Sequence, residues 1–520
     1  MQPESLPTEI LSKESSPVNE IEDRHFRTDH LKADLSGRTA RGGTIMIVSQ
    51  GMKFLINMAS AVILARLLTP QDYGLIAMVA VVVNFSYPFR NLGLSAATMQ
   101  RAEINNKQVS NLFWVNVGLS VAAMLVTGAV APAIAWFFGE PRLIWITLAL
   151  AGGFIFGGLT VQHEALLKRQ MRFISIAANE ISSMLIGTTV AISLAWKGFG
   201  YWALVWSQLA IGASYAIGVW LVCRWRPRLP ARNSGVRSML AFGRNLTGFN
   251  VLNYVARNID NLLIGRYWGA QQLGVYARAY QLLLLPLDQI IAPIDGVAVS
   301  ALSRLADNPD RYRQAYLRML EKLAMLTMPA MALMIITSDW LVRVMLGPQW
   351  LETGRIFALL GIIGLVEPVS STMGWLLISQ GRTHHILQWG LIDATVSIVS
   401  IIAGLPWGAV GVAGSYALVG LCIRKPFQFW FVNRVGPVRT SEFYRAIIPS
   451  VCASLAVMFV VFCFRRWSGL TSAVQGLIVS LALGIGAAFL SFYILPRGRA
   501  ALRDVRDLLP LLIWRKESSH

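Results

Sequence analysis

Residues 62–76 read V-I-L-A-R-L-L-T-P-Q-D-Y-G-L-I. Two apolar runs meet there across a short polar turn, one predicted helix covering 44–65 and the next 73–99. Working outward, further apolar segments follow near 108–137, 142–168, 174–195, 200–223, 239–267, 273–303, 315–337, 353–379, 384–404, 409–431, 443–464 and 472–495. Each is close to or above the ~20 residues a helix needs to cross the hydrocarbon core. The sequence therefore predicts an all-α membrane protein of about fourteen transmembrane helices.

The opening stretch has a counterpart. Residues 262–276 read L-L-I-G-R-Y-W-G-A-Q-Q-L-G-V-Y, so at an offset of 200 Arg66 matches Arg266, Gln71 matches Gln271 and Gly74 matches Gly274. A second match, at an offset of 210, sets Leu166-Leu167-Lys168-Arg169-Gln170-Met171-Arg172 beside Leu376-Leu377-Ile378-Ser379-Gln380-Gly381-Arg382. Segment 1 then corresponds to segment 7, and segment 4 to segment 10. The predicted architecture is two six-helix lobes related by internal duplication, plus two C-terminal helices. An even number of helices per repeat makes the halves parallel, and transporters built this way bind cargo between them near the midplane. The expected organisation is a disordered cytoplasmic tail over 1–40, an N-lobe over 41–225 and a linker over 226–238. A C-lobe over 239–435, the added pair over 436–496 and a cytoplasmic tail over 497–520 complete it.

Composition agrees. The 520 residues are 55% hydrophobic and 14% charged, against roughly 25% charged in soluble domains. The net charge of +19 comes from 46 Lys and Arg against 27 Asp and Glu. In a chain this apolar, the excess is read through the preference of cytoplasmic loops for Lys and Arg, and no nucleic-acid partner is implied. With the N-terminus inside, only nine of the 46 cations fall on the outer side, and four (Lys53, Arg90, Arg244, Arg257) are assigned to helix interiors. The asymmetry places both termini in the cytoplasm. Cys223, Cys422, Cys452 and Cys463 form no Cys-x-x-Cys and read as small hydrophobes. The N-terminal tail has no hydrophobic signal-peptide core.

Polar residues recur where lipid forbids them. Gln50, Lys53, Asn57 and Ser60 share one face of segment 1, and Asn250, Asn253, Arg257 and Asp260 repeat the same spacing in segment 7. A Lys or Arg at a helix centre costs ~2.5–3.5 kcal/mol on insertion scales, so both stripes should face each other or a wet cavity. Segment 2 adds Arg90; segment 8 adds Asp288 and Asp295 beside Pro286 and Pro293. Lys53, Arg90 and Arg257 would make that cavity cationic and suit an anionic cargo, and Arg in particular suits phosphate. Two structural alternatives stand beside this: Arg257 pairing with Asp260, and Lys53 pairing with Asp288 or Asp295. Glu164, Glu180, Glu367 and Asp393 are further intramembrane acids, candidates for ion coupling, with Glu367 the most central. His384 and His385 lack nearby Cys or carboxylate partners and read as interfacial, so no metal site is expected. No phosphate-binding Gly-x-x-x-x-Gly-Lys-Ser/Thr, no His-Glu-x-x-His and no Gly-x-Ser-x-Gly occurs. No cofactor and no catalytic residue are assigned.

Three motifs carry a family resemblance. Leu64-Ala65-Arg66-Leu67-Leu68-Thr69-Pro70-Gln71-Asp72-Tyr73-Gly74 resembles the signature of the bacterial polysaccharide-transporter family. So do Asn91-Leu92-Gly93-Leu94-Ser95-Ala96-Ala97 and Leu166-Leu167-Lys168-Arg169-Gln170-Met171-Arg172-Phe173. This resemblance, to Wzx-type flippases of a superfamily that also holds multidrug extruders, spans roughly 36–495. It implies a bacterial inner membrane as the location and an undecaprenyl-pyrophosphate-linked oligosaccharide as cargo, carried for O-antigen, capsule or exopolysaccharide synthesis, with polymerase and chain-length components as pathway partners. The expected mechanism is alternating access. The pyrophosphate would sit on Arg90 and Arg257 with Lys53 assisting; Asn57, Asn250 and Asn253 would meet sugar hydroxyls; Asp260, Asp288, Asp295 and Glu367 would serve coupling or interlobe pairing. Val299-Ser300-Ala301-Leu302-Ser303-Arg304 departs from the family's usual Phe-Pro-Ala-Leu-Ser-Arg. The rival classes are a multidrug extruder, whose cationic cargo wants an acidic cavity, and a membrane-embedded polymerase, which wants a long periplasmic loop.

Overall fold

The structure, a computed structural model, describes residues 35–85, 95, 98, 104–230, 237–470, 472–500 and 503. Most of both predicted tails lies outside them. Among the described residues there is no strand. Ten helices among these residues are long and apolar enough to cross a membrane, and Pro70–Phe85 and Ile294–Ser303 are apolar but shorter.

The turn that opened the sequence reading folds through local chemistry. Helix α1 (Leu35–Leu67) starts nine residues before the predicted 44. Its last carbonyls have no partner within the helix; the Trp350 indole N–H donates to the Ala65 carbonyl at 2.8 Å, and the Gln349 amide donates to the Leu68 carbonyl at 3.0 Å. Helix α2 (Pro70–Phe85) begins at once. Thr69 caps it: the Asp72 N–H donates to Thr69 Oγ1, and Asp72 Oδ2 accepts from the Thr69 N–H at 2.9 Å. With Pro at the first helical position, Thr-Pro-Gln-Asp is a capping box with an acid in the third place.

After α3 (Asn106–Phe138) come α4 (Leu143–Gly152) and α5 (Phe154–Arg169), which read as one crossing, then α6 (Phe173–Trp196) and α7 (Tyr201–Cys223). The 67-residue run α8 (Arg237–Ser303) is broken at Gly269, whose φ of 75° and ψ of −176° are not helical. Gly269 stands 200 residues after Thr69, so both copies of the duplicated stretch break their helix at the same place. The chain continues through α9 (Pro309–Ile336), α10 (Ser338–Met345), α11 (Leu351–Gly364), α12 (Glu367–Ser379), α13 (Thr383–Gly404) and α14 (Gly408–Val419). A π-turn over Gly420–Arg424 joins α14 to α15 (Lys425–Val435), and α16 (Thr440–Trp467) and α17 (Ala473–Ile494) close the chain.

The chain divides into two compact units: residues 1–60, 82–132 and 144–252, and residues 61–81, 133–143 and 253–520. In the first, small residues let helices approach, as membrane helices require. A Cβ on Gly187 would meet Ile211 Cγ1 at 2.1 Å, and one on Gly218 would meet Asn179 Oδ1 at 1.7 Å. An aromatic plug of Phe113, His163, Trp220 and Trp225 fills one end. In the second unit, α9 packs along α16, which in turn carries α17. Arg465 grips Asp339 with two bonds of 2.9 and 2.7 Å and lies over the Trp340 ring. Trp136, Trp145, Trp196, Trp407 and Trp467 are each more than two-thirds exposed, and each stands at a helix end that charge counting assigns to the outer side. Tryptophan there anchors helices at a membrane interface.

The second unit also contains a reciprocal contact between the two copies. A Cβ on Gly74 would fall 1.7 Å from the Ala270 carbonyl oxygen, and one on Gly274 would fall 1.8 Å from the Pro70 carbonyl oxygen. Pro70 and Ala270, like the two glycines, are 200 residues apart. Two equivalent turns thus interlock backbone to backbone, as duplicated elements do across a two-fold axis.

Candidate functional site

Lys53 and Asn57 lie on α1 in the first unit. Lys53 Nζ donates to Glu180 Oε2 on α6 at 2.7 Å. Its partner among the described residues is Glu180, where spacing had offered Asp288 or Asp295; the side chain of Asp288 lies outside the described residues. The two helices pack within one unit, and 127 residues of separation hid that from pattern reading. Asn57 is exposed one turn further on.

Arg257, Asp260, Asp295 and Glu367 lie in the second unit. Arg257 is exposed on α8, and among the described residues it makes no side-chain hydrogen bond or ion pair. Asp260, three residues on, is buried: Tyr276 Oη donates to its Oδ2 at 2.9 Å and the Asn261 N–H to its Oδ1 at 2.8 Å. A separation of three residues turns ~60° around a helix, enough for one side chain to face the core and the other open space. The Arg257–Asp260 pair considered from spacing does not form. Asp295 accepts a hydrogen bond from the Trp375 indole at 2.7 Å. Arg90 lies outside the described residues, as do the side chains of Asn250, Asn253 and Asp288.

Glu367 leads to residues the sequence reading missed. Its Oε2 pairs with Lys425 Nζ at 2.8 Å, and Lys425 also donates to Ser370 Oγ at 2.6 Å. The neighbouring Arg424 binds Asp393 through two hydrogen bonds of 3.0 and 3.1 Å and stacks 4.7 Å from the Tyr416 ring centre. Both cations are buried, at 5% and 4% exposure, although charge counting had credited them to the cytoplasmic side. The π-turn at Gly420–Arg424 swings them inward; such turns recur at functional positions. The signal available in sequence was Pro426 two residues after Arg424, marking an irregular helix. Arg257 lies within electrostatic range of Glu367, so the unpaired guanidinium and this network belong to one electrostatic neighbourhood.

The pair is asymmetric, which yields a prediction. The Lys425 side chain is 5% exposed, whereas that of Glu367 is 46% exposed. Glu367→Gln would strand a buried ammonium, a loss expected to cost ~3 kcal/mol. Lys425→Met leaves a carboxylate that can rehydrate, and should cost about 1 kcal/mol. Melting of the detergent-solubilised variants checks the order: Glu367→Gln should melt lower, and the reverse order would refute the assignment.

The remaining acids and histidines are accounted for locally. Glu164 pairs with Lys168 at 2.6 Å. His384 and His385 lie with ring centres 3.8 Å apart, and among the described residues no group of three His, Cys, Asp or Glu could hold a metal.

A family model described as "Polysaccharide biosynthesis protein" matches residues 63–355, more than half of the chain. The teichuronic acid biosynthesis protein TuaB of Bacillus subtilis is 25% identical over 375 residues, covering 72% of this chain and 77% of its own length. The succinoglycan biosynthesis transport protein ExoT of Rhizobium meliloti is 25% identical over 475 residues, covering 89% of this chain and 94% of its own. Among solved structures, the lipid II flippase MurJ in its inward closed conformation aligns with a TM-score of 0.65 at 14% identity, covering 85% of this chain and 97% of that one. At that identity the likeness concerns the fold.

Proposed function

The chain belongs to the polysaccharide biosynthesis protein family, and from that premise we propose that it flips an undecaprenyl-pyrophosphate-linked oligosaccharide from the inner to the outer leaflet of a bacterial inner membrane. The observation that carries this reading is Arg257: an exposed guanidinium on an apolar-flanked helix, with no counterion bonded to it among the described residues. Facing lipid, it would cost at least ~2.5–3.5 kcal/mol; facing a wet cavity, it is a seat for a phosphate. A relative named as a transport protein and a flippase of the same fold support transport over catalysis. Lys53 assists from its pair with Glu180, Arg90 completes the cationic lining, and Asn57, Asn250 and Asn253 meet sugar hydroxyls. Asp260, Asp288, Asp295 and Glu367 hold the lobes or carry the coupling ion. Both termini are cytoplasmic, no bond is made or broken, and a polymerase and chain-length protein act downstream.

Cargo polarity tests the reading. Proteoliposomes of the wild type should move a pyrophosphate-linked oligosaccharide between leaflets and leave a cationic dye untouched. Dye efflux without any movement of the lipid-linked sugar would assign the chain to cation extrusion instead.

A further inference from the structure

A second site lies away from the polar stripes. In the first unit, a groove of about 860 Å³ runs between the start of α6 and the end of α7. Arg172 and Arg224 stand at its mouth; Ile174, Ala178 and Leu221 form apolar walls, with Asn179 behind them. Ile174 is 66% and Leu221 65% exposed, so these walls face outward. Asn179 is spent on structure, donating from Nδ2 to the Tyr215 carbonyl at 3.0 Å. Ser175 and Ser182 also line it, and Ser182 Oγ donates to the Asn179 carbonyl at 3.0 Å. The groove therefore offers two cations beside a mainly apolar trough.

Its orientation follows from helix geometry. Ile174, Ala178 and Leu185 share one face of α6, at spacings of four and seven. Glu180, which meets Lys53, lies two residues from Ala178 and so ~200° around the helix. The groove thus opens on the face of α6 turned away from the intramembrane ion pair, where hydrocarbon is the natural surrounding.

The backbone marks the same place. Among the described residues, only Met171 and Arg224 combine positive φ with a side chain, both at 55°. They bracket the groove. At the position matching Met171 in the second copy stands Gly381, with φ of 68°, the residue type this conformation favours. Left-handed backbone is strained in a residue with a Cβ, and residues held so cluster at ligand clamps and active sites. At Arg224 it ends α7 and leaves the guanidinium exposed, with no side-chain bond among the described residues.

We propose that this groove binds an anionic phospholipid of the inner leaflet, its phosphate between Arg172 and Arg224 and an acyl chain along Ile174, Ala178 and Leu221. Basic clefts between membrane helices at the cytoplasmic surface recognise such headgroups. Charge selects the anion, and the apolar walls select a lipid over a free phosphate.

Native mass spectrometry of the full-length protein titrated with phosphatidylglycerol, against phosphatidylcholine of the same chains, tests the site. Phosphatidylglycerol should bind at least tenfold tighter. Arg224→Gln should lower its affinity about fivefold, and Arg172→Gln with Arg224→Gln about 25-fold, following the contribution of basic side chains near a membrane. Arg172 also donates to the Val222 carbonyl, so Arg224→Gln alone guards against a folding defect in the double variant. Ile174→Trp, which fills the trough and keeps both arginines, should weaken binding as well. Unchanged phosphatidylglycerol affinity in Arg224→Gln and Ile174→Trp would overturn the site. Inorganic phosphate competing at millimolar concentration would show a headgroup-only anion site, and undecaprenyl pyrophosphate displacing the lipid would make it a cargo seat; either result also refutes the proposal.

Discussion

Arg257→Ala is expected to reduce export of the lipid-linked oligosaccharide by roughly 30- to 100-fold while the protein inserts at wild-type levels. A hydrogen bond to a charged group contributes about 1.5–3 kcal/mol, or about one to two powers of ten in affinity. Arg257 has no bonded counterion among the described residues, so its removal strands no partner there and should leave stability nearly unchanged. Arg257→Lys should recover part of the activity, because an ammonium carries the charge but not the fork that holds two phosphate oxygens. Adding Asp260→Ala should restore nothing, since Asp260 is occupied by Tyr276 and Asn261. Full export by Arg257→Ala, or rescue by the double variant, would return Arg257 to a structural role.

Gly74→Ala and Gly274→Ala should each destabilise the protein by ~2–3 kcal/mol and lose most transport. Each added methyl falls within 2 Å of a carbonyl oxygen on the opposing turn, and backbone cannot rotate aside as a long side chain can. Overpacking of this kind costs about 1–3 kcal/mol, and here both offending atoms are fixed. Because the contact is reciprocal, the two variants should behave alike. The double variant should be much less than additive, since turns already pushed apart by one methyl have room for the second. Gly51→Ala, with no atom within 4 Å of its Cβ, is the control and should export normally. Equal stability for Gly74→Ala and Gly51→Ala, read from melting in detergent, would show that the two turns do not interlock.

Much of this was open to reading because it is local. A hydrocarbon-length run of apolar residues has no alternative but to span. Thr69-Pro70-Gln71-Asp72 ends one helix and starts the next through bonds spanning three residues. The offset of 200 between the two turns was visible as Arg66, Gln71 and Gly74 against Arg266, Gln271 and Gly274. Sequence alone therefore determined the helical membrane class and marked the duplicated turn.

Only the tertiary structure decided which of the intramembrane charges remain available. Lys53 meets Glu180 across 127 residues. Asp260 turns into the core while Arg257 does not. Arg424 and Lys425 are drawn inward by a π-turn onto Asp393 and Glu367, 31 and 58 residues upstream. Helical periodicity fixes the angle between two side chains on one helix but not what stands opposite either of them. In a low-dielectric interior that opposing group decides whether a charge is satisfied or open to a ligand, and it is set by packing between segments remote in the chain.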